Sequence, residues 1–207
     1  MMNPSIALFG AGGKMGLRLT RNLRATAWDV RHVEVGAAGR AALREQFGIE
    51  PMEWPAAVAG ATVVILAVPD TLIGRIAAQI ESSLPAGTML IVLDAAAPFA
   101  GHLPRRPDLT YFVTHPCHPP IFNDETTEQG RNDHFGAAHA RQSIVSALMQ
   151  GPAEHFELGE AIARVIYAPI ANAHRLSVEQ MALLEPGLSE TVCATLLDTM
   201  REAMDEV

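Results

Sequence analysis

At 207 residues, 49% hydrophobic and 18% charged, with a mean hydropathy of +0.15, the chain suits one large domain, or one domain and part of a second, and is too apolar for disorder. Fifteen Lys+Arg against 23 Asp+Glu leave a formal charge of −8 with no basic run, which argues against nucleic acid as a partner. Cys117 and Cys193 are too few for a disulfide framework and the first apolar run, Ile6–Phe9, is too short for a signal peptide or a span, so the expectation is a cytoplasmic protein with no membrane partner.

In chain order, the apolar runs Ile6–Phe9, Val30–Val35, Val63–Val68, Met89–Leu93, Tyr111–Val113 and Ile144–Met149 alternate with the helical-period stretches Met15–Leu23, Ala38–Gln46, Thr71–Ser82 and Ala137–Ser143. Runs apolar throughout, separated by helices, predict a parallel sheet covered on both faces: a doubly wound α/β domain over residues 1–175. Ser177 followed by Gln180 has capping-box spacing and starts a long helix bent near Pro186. Its stripe of Met181, Leu184, Leu188, Val192 and Leu196 continues toward Glu206-Val207 with no Gly or Pro stop signal. Residues 176–207 therefore read as the start of a shortened helical domain. A homodimer that covers the stripe is expected, because large exposed apolar faces are rare on monomers.

The turn Gly10-Ala11-Gly12-Gly13-Lys14-Met15-Gly16 follows the first apolar run and opens the first helix. Glycines there bring backbone N–H groups toward a diphosphate, and the helix N-terminus supplies positive potential. Gly10, Gly13 and Gly16 form a variant one residue longer than the usual dinucleotide spacing. Glu34, near the end of the second run, stands where an acid accepts the adenosine ribose hydroxyls and repels a 2′-phosphate, which favours NAD over NADP. The bland alternative for Glu34 is a solvated strand end. Pro69-Asp70 and Asp94 fall at the ends of the third and fourth runs, on the edge where such a sheet binds its cofactor. Both acids are equally explicable as helix caps.

The segment from Tyr111 to Glu125 carries His115-Pro116-Cys117-His118-Pro119-Pro120. A buried strand delivers these residues to the same edge, and the prolines stiffen the loop. His115 is then a general acid/base or a ligand, with a satisfied structural histidine as the alternative. His115, Cys117 and His118 are too closely spaced for an ordinary structural zinc site. Cys117 has no base beside it to make it a nucleophile. Glu185 lies on the apolar stripe, where a carboxylate is costly unless it is paired, metal-bound or facing a cavity. The other reading is that Pro186 turns it to solvent. A doubly wound fold brings His115 and Glu185 to one interdomain cleft, where the two are acceptable ligands for a zinc-like divalent ion.

The opening GAGGKMG, AVPD after the third run, THPCHPPIFNDE, ALMQGP and VEQMALLEPGLSE together resemble the NAD-dependent D-apionate oxidoisomerases. These have a 6-phosphogluconate-dehydrogenase-like or ketol-acid-reductoisomerase-like architecture, and the resemblance runs through nearly the whole chain. It implies NAD on the glycine turn, Glu34 and Pro69-Asp70, with His115 and Glu185 facing a small sugar-acid substrate, through a divalent metal. It also implies further helices that this chain lacks. The lysine-and-asparagine helix of ordinary β-hydroxyacid dehydrogenases has no counterpart, since Lys14 is the only lysine. Two alternatives stand beside an oxidoisomerase: a simple hydroxyacid dehydrogenase and a non-catalytic NAD-binding module. A module that only bound cofactor would have no need of a rigid His-Pro loop.

Overall fold

A computed structural model of the chain describes residues 3–120, 122–136 and 138–206. Ile121 of the His-Pro segment, the first residue of the expected 137–143 helix and the C-terminal Val207 lie outside the described residues.

The strands are β1 (Ser5–Phe9), β2 (Asp29–Val33), β3 (Val63–Leu66), β4 (Met89–Val92), β5 (Thr110–Pro116), β6 (Gln142–Gln150) and β7 (Ile170–Arg175). The helices are α1 (Lys14–Leu23), α2 (Ala37–Phe47), α3 (Trp54–Val58), α4 (Asp70–Ile80), α5 (Ala96–Phe99), α6 (Glu128–Arg131), α7 (His155–Ile166), α8 (Val178–Glu185) and α9 (Ala194–Asp205). One seven-stranded sheet runs in the order β2-β1-β3-β4-β5-β6-β7. This is a Rossmann-like α/β fold followed by helices.

Alternate strand residues feed two separate cores, as the period of two requires. Ala7, Phe9, Val64, Leu66, Leu90 and Val92 pack with Ile73, Ala77 and Ile80 of α4 and with Met181 of α8 on one face. Ile6, Leu8, Val63, Ile65, Ile91 and Phe112 pack with Leu19, Leu23, Ile162 and Ile166 of α1 and α7 on the other. Covering on both faces explains why these strands read as unbroken apolar runs.

The sheet is not wholly parallel. β1 to β5 run parallel, whereas β6 pairs antiparallel with β5, and β7 follows β6. The expected crossover helix at 137–143 is absent among the described residues: Asp133 Oδ2 accepts the N–H groups of Ala138, His139 and Ala140, and Gln142 already begins β6. A carboxylate that captures three successive N–H groups holds a loop, and an antiparallel return needs no crossover. The missed α7 supplies the real crossover, from β6 to β7. The second strand ends at Val33, so Glu34 lies just beyond it.

At Ser177 both halves of the capping box form, Gln180 N–H to Ser177 Oγ at 3.1 Å and Ser177 N–H to Gln180 Oε1 at 2.8 Å. Pro186 cannot donate to the helix ladder, and Pro186–Cys193 widens into π-helical turns before α9 resumes. α8 lies against α5 and β6, which seats Met181 in the core. Leu184, Leu188, Val192 and Leu196 are exposed by 45–58%.

Candidate active site

Gly10 takes a φ of +70°, and a Cβ there would lie 2.2 Å from the carbonyl oxygen of Ala67, so the turn after β1 passes directly over the end of β3. The turn then spends its own N–H groups internally: Ala11 on Val33 O, Gly12 on Glu34 Oε2 at 2.9 Å, and Gly13 on Gly10 O. α1 begins at Lys14 with no side-chain cap, so its first-turn N–H groups are the donors left for an anion. Glu34 also accepts from Gly36 N–H at 2.7 Å, and its carboxylate thereby ties the glycine turn to the start of α2. A cavity of about 290 Å³ lies alongside, lined by Gly10, Gly13, Val33, Glu34, Val68, Pro69 and others.

A second group of residues lies at the ends of β4 and β5. Leu93 and Asp94 follow β4, and His115 is the penultimate residue of β5. The His115 Nδ1–H donates to the Leu93 carbonyl at 2.8 Å, which turns Nε2 toward α8. There it meets Oε1 of Glu185, the last residue of α8, at 3.0 Å. Asp94 uses Oδ1 to cap Ala96 N–H, yet it also comes close to the pair: one ligand atom from each of Asp94, His115 and Glu185 lies within 4.8 Å of the other two. Two carboxylate oxygens and an imidazole nitrogen at that spacing suit a divalent cation. A cavity of about 380 Å³ opens beside them, lined by His115, Cys117, His118, Leu176, Met181 and Glu185 among others.

Charge explains the pairing. Burial works against an imidazolium at His115, but the hydrogen bond and charge of Glu185, the Leu93 carbonyl and Asp94 outweigh it and raise its pKa above the ordinary 6.5. The hydrogen bond from His115 correspondingly lowers the carboxyl of Glu185. Asp70 is raised, first by burial and then by Asp94 and Glu185, so the site is rich in negative charge. Burial and the Glu185 charge push the Cys117 thiol up, which removes it as a nucleophile.

The fold thus lines one cavity with Gly10, Gly13, Glu34 and Pro69, with Gly12 bonded to Glu34 beside it, and a second with His115 and Glu185, with Asp94 close to that pair and Asp70 within electrostatic reach of all three. Asp70 opens α4 as its first residue. Pro186 does not carry Glu185 to solvent: its side chain is 37% exposed and held on His115. Sequence reading placed Asp94 at the cofactor and missed its approach to the histidine. It also missed the support behind the site, where buried Thr114 bonds Val145 O and Ser146 Oγ and buried Tyr167 reaches Thr114 O. Arg18, on the buried side of α1, was missed as well; it donates to Phe135 O and Tyr167 O. An arginine within an apolar helical period was the one legible signal for it.

Residues 5–98 match the family model "NADP oxidoreductase coenzyme F420-dependent", and residues 123–207 match "Phosphogluconate dehydrogenase (decarboxylating) C-term". The chain is 65% identical over 205 residues to a D-apionate oxidoisomerase of Cupriavidus necator, across 99% of this chain and 74% of that protein. It is 64% identical to another from Rhizobium rhizogenes, across 97% of this chain and 73% of that one. A crystal structure of a semialdehyde dehydrogenase NAD-binding protein from Cupriavidus necator, in complex with calcium and NAD, superposes with a TM-score of 0.95 at 65% identity over 99% of this chain and 74% of that one.

Proposed function

Because the chain belongs to the D-apionate oxidoisomerase family, we propose that it oxidises D-apionate with NAD and couples that oxidation to isomerisation of the carbon skeleton. Bound NAD supplies the hydride acceptor. The first turn of α1 holds its diphosphate, with Gly10, Ala11, Gly12 and Gly13 shaping the turn and Lys14 and Met15 offering N–H groups. Glu34, with Pro69 and the cavity around it, holds the adenosine, and Asp70 and Asp94 flank the nicotinamide. The relative's complex with NAD supports this reading.

The observation that carries the catalytic assignment is the His115–Glu185 contact of 3.0 Å on the carboxyl edge of the sheet, beside the cofactor cleft. Leu93 fixes the imidazole tautomer, so Nε2 is the nitrogen that exchanges protons. Glu185 aims that nitrogen and balances its charge. As hydride leaves the carbinol carbon for NAD, the hydroxyl proton passes to this pair; when a substituent of the neighbouring hydroxyl-bearing carbon then moves to the new carbonyl carbon, that proton goes to the carbonyl oxygen, and the neighbour's hydroxyl gives up its own proton as it becomes the carbonyl of the product.

As the alternative to that proton transfer, Asp94, His115 and Glu185 would hold a divalent cation, which would polarise the substrate's oxygens; Nε2 of His115 would then be a ligand and not the base. The charge balance supports this, since an anionic acid must enter a site already carrying three carboxylates. Calcium in the relative's crystal structure also supports it. The assay is NADH formation from D-apionate and a panel of aldonic acids, with and without chelator, with the carbon skeleton of the product determined. NADH from none of these acids would refute the reading.

The division at about residue 175 separates the cofactor domain from the helical part that supplies Glu185. The exposed apolar face of Leu184, Leu188, Val192 and Leu196 supports a homodimer that covers it. Free Cys117 and Cys193, both exposed, suit the reducing cytoplasm. No helix among the described residues is long and apolar enough to cross a membrane.

A further inference from the structure

His118 is built into the same cavity as His115 and Glu185, yet the chemistry described so far gives it nothing to do. Its Nδ1 lies 3.3 Å from the Phe135 carbonyl, and since a carbonyl only accepts, that nitrogen carries the proton. This repeats the arrangement at His115, where Nδ1–H is fixed on Leu93. In both rings the nitrogen left over is Nε2.

The anchor itself is braced. The Phe135 ring lies 5.4 Å from the His118 ring, with Lys14 Nζ 4.2 Å from its centroid. The buried Arg18 donates to the same Phe135 carbonyl at 3.1 Å. Burial first, and then the charges of His115, Arg18 and Lys14, lower the pKa of the His118 imidazole against the opposing pull of the Phe135 carbonyl, which favours the neutral ring with a lone pair on Nε2. His118 is also the one non-glycine among the described residues with positive φ, at +57°. That backbone region is sparsely populated and persists where the surroundings impose it, often at a ligand site.

We propose that His118 is a second substrate-facing imidazole, whose Nε2 accepts a hydrogen bond from a hydroxyl of the polyhydroxy acid other than the one oxidised, and which thereby sets a preference for polyhydroxylated over deoxy acids. This rests on the sugar-acid reading above. The His115–Glu185 pair is committed to the reacting hydroxyl, the Cys117 thiol stays protonated, the one other polar side chain of the lining, Ser189, is exposed to solvent, and Val145, Leu176, Met181, Leu184 and Leu188 give the cavity an apolar wall. A second hydroxyl buried there needs a partner. A site built to bond that hydroxyl rejects an acid without it, because the imidazole would be left unpaired.

His118→Asn is the informative variant. Asparagine tolerates left-handed backbone and keeps an N–H donor near the Phe135 carbonyl, so chiefly Nε2 is lost. The expected result is a fall of about 10–100-fold in kcat/KM for D-apionate, from the cost of one unpaired polar group. NAD affinity and melting temperature should stay unchanged. The ratio of kcat/KM for D-apionate to that for deoxy-aldonates should collapse toward one. An unchanged ratio overturns the proposal, whether both acids are turned over normally or both lose activity equally.

Failure of the substrate reading shows separately, as absence of NADH from D-apionate with the unmutated protein. The ratio is then measured on whichever aldonic acid is oxidised. Independently of turnover, long-range proton–nitrogen spectra of histidine-labelled protein at neutral pH should show His118 protonated at Nδ1 alone. Protonation at Nε2 would overturn the proposal.

Discussion

Replacing Glu34 by alanine tests whether this side chain is a strap on the glycine turn as well as a ribose acceptor. Its carboxylate takes Gly12 N–H at 2.9 Å and Gly36 N–H at 2.7 Å, and α2 runs so close that a Cβ at Gly39 would lie 2.7–2.9 Å from the Glu34 side chain. A hydrogen bond to a charged acceptor contributes about 1.5–3 kcal/mol when buried. Glu34 is only half-buried and water replaces part of what is lost, so about 1 kcal/mol for each bond, or about 2 in all, is the reasonable loss. In a protein of this size that is a drop of about 4–8 °C in melting temperature without cofactor.

Glu34→Gln should fall between alanine and the native residue, because an amide keeps one acceptor and presents its NH2 to the other donor. The same variants report on cofactor choice. Removing the negative charge should weaken NAD and strengthen NADP, narrowing their affinity ratio by about tenfold, or 1.4 kcal/mol. Thermal melting and calorimetric titration with each cofactor measure both effects. A Glu34→Ala protein that melts within about 1 °C of the native one would refute the strap. Equal affinity of the native protein for NAD and NADP would refute the ribose assignment.

His115→Ala and Glu185→Ala should each leave NAD affinity nearly intact while reducing kcat at least about 100-fold, and the double variant should be no worse than the weaker single one, as for residues acting as a unit; additive losses would separate them. In chelated buffer the pair's contribution to stability should be full between about pH 4.5 and 6.5. It is lost at high pH as the raised imidazole of His115 deprotonates and at low pH as the depressed carboxyl of Glu185 protonates, so His115→Ala should flatten both limbs of a melting-temperature profile. A divalent cation held by Asp94, His115 and Glu185 should raise the melting temperature of the native protein and leave that of Asp94→Asn unmoved; an equal rise in both would remove Asp94 from the site. Light scattering at micromolar concentration should give twice the mass of the chain, and Leu188→Glu should halve it, the exposed face of α8 and the turns beyond it being the expected interface.

Most of the cofactor half was legible because its signals are local. The glycine turn from Gly10 to Gly16, between a buried run and a helix, is written within seven positions, and the capping box at Ser177 is complete within four. Unbroken apolar runs forecast two covered faces for the same reason: each strand residue responds to the layer directly above or below it. The resemblance to a known family added the roles of His115 and Glu185, and their separate peculiarities, a histidine in a proline-stiffened loop and a carboxylate on an apolar stripe, were already visible in the chain.

What only the tertiary structure decided are the relations between distant segments. The antiparallel return of β6 is set by its pairing with β5, and an apolar run carries no mark of its direction. The second bond of Glu34 depends on Gly12, far upstream. Asp94 caps its own turn, as sequence allowed, but its place beside His115 and Glu185 depends on β4 and β5 being neighbours and on α8 packing against α5 and β6. Sequence supplies the chemistry of each side chain; a distance of 3.0 Å between two of them is set by the packing of every element between.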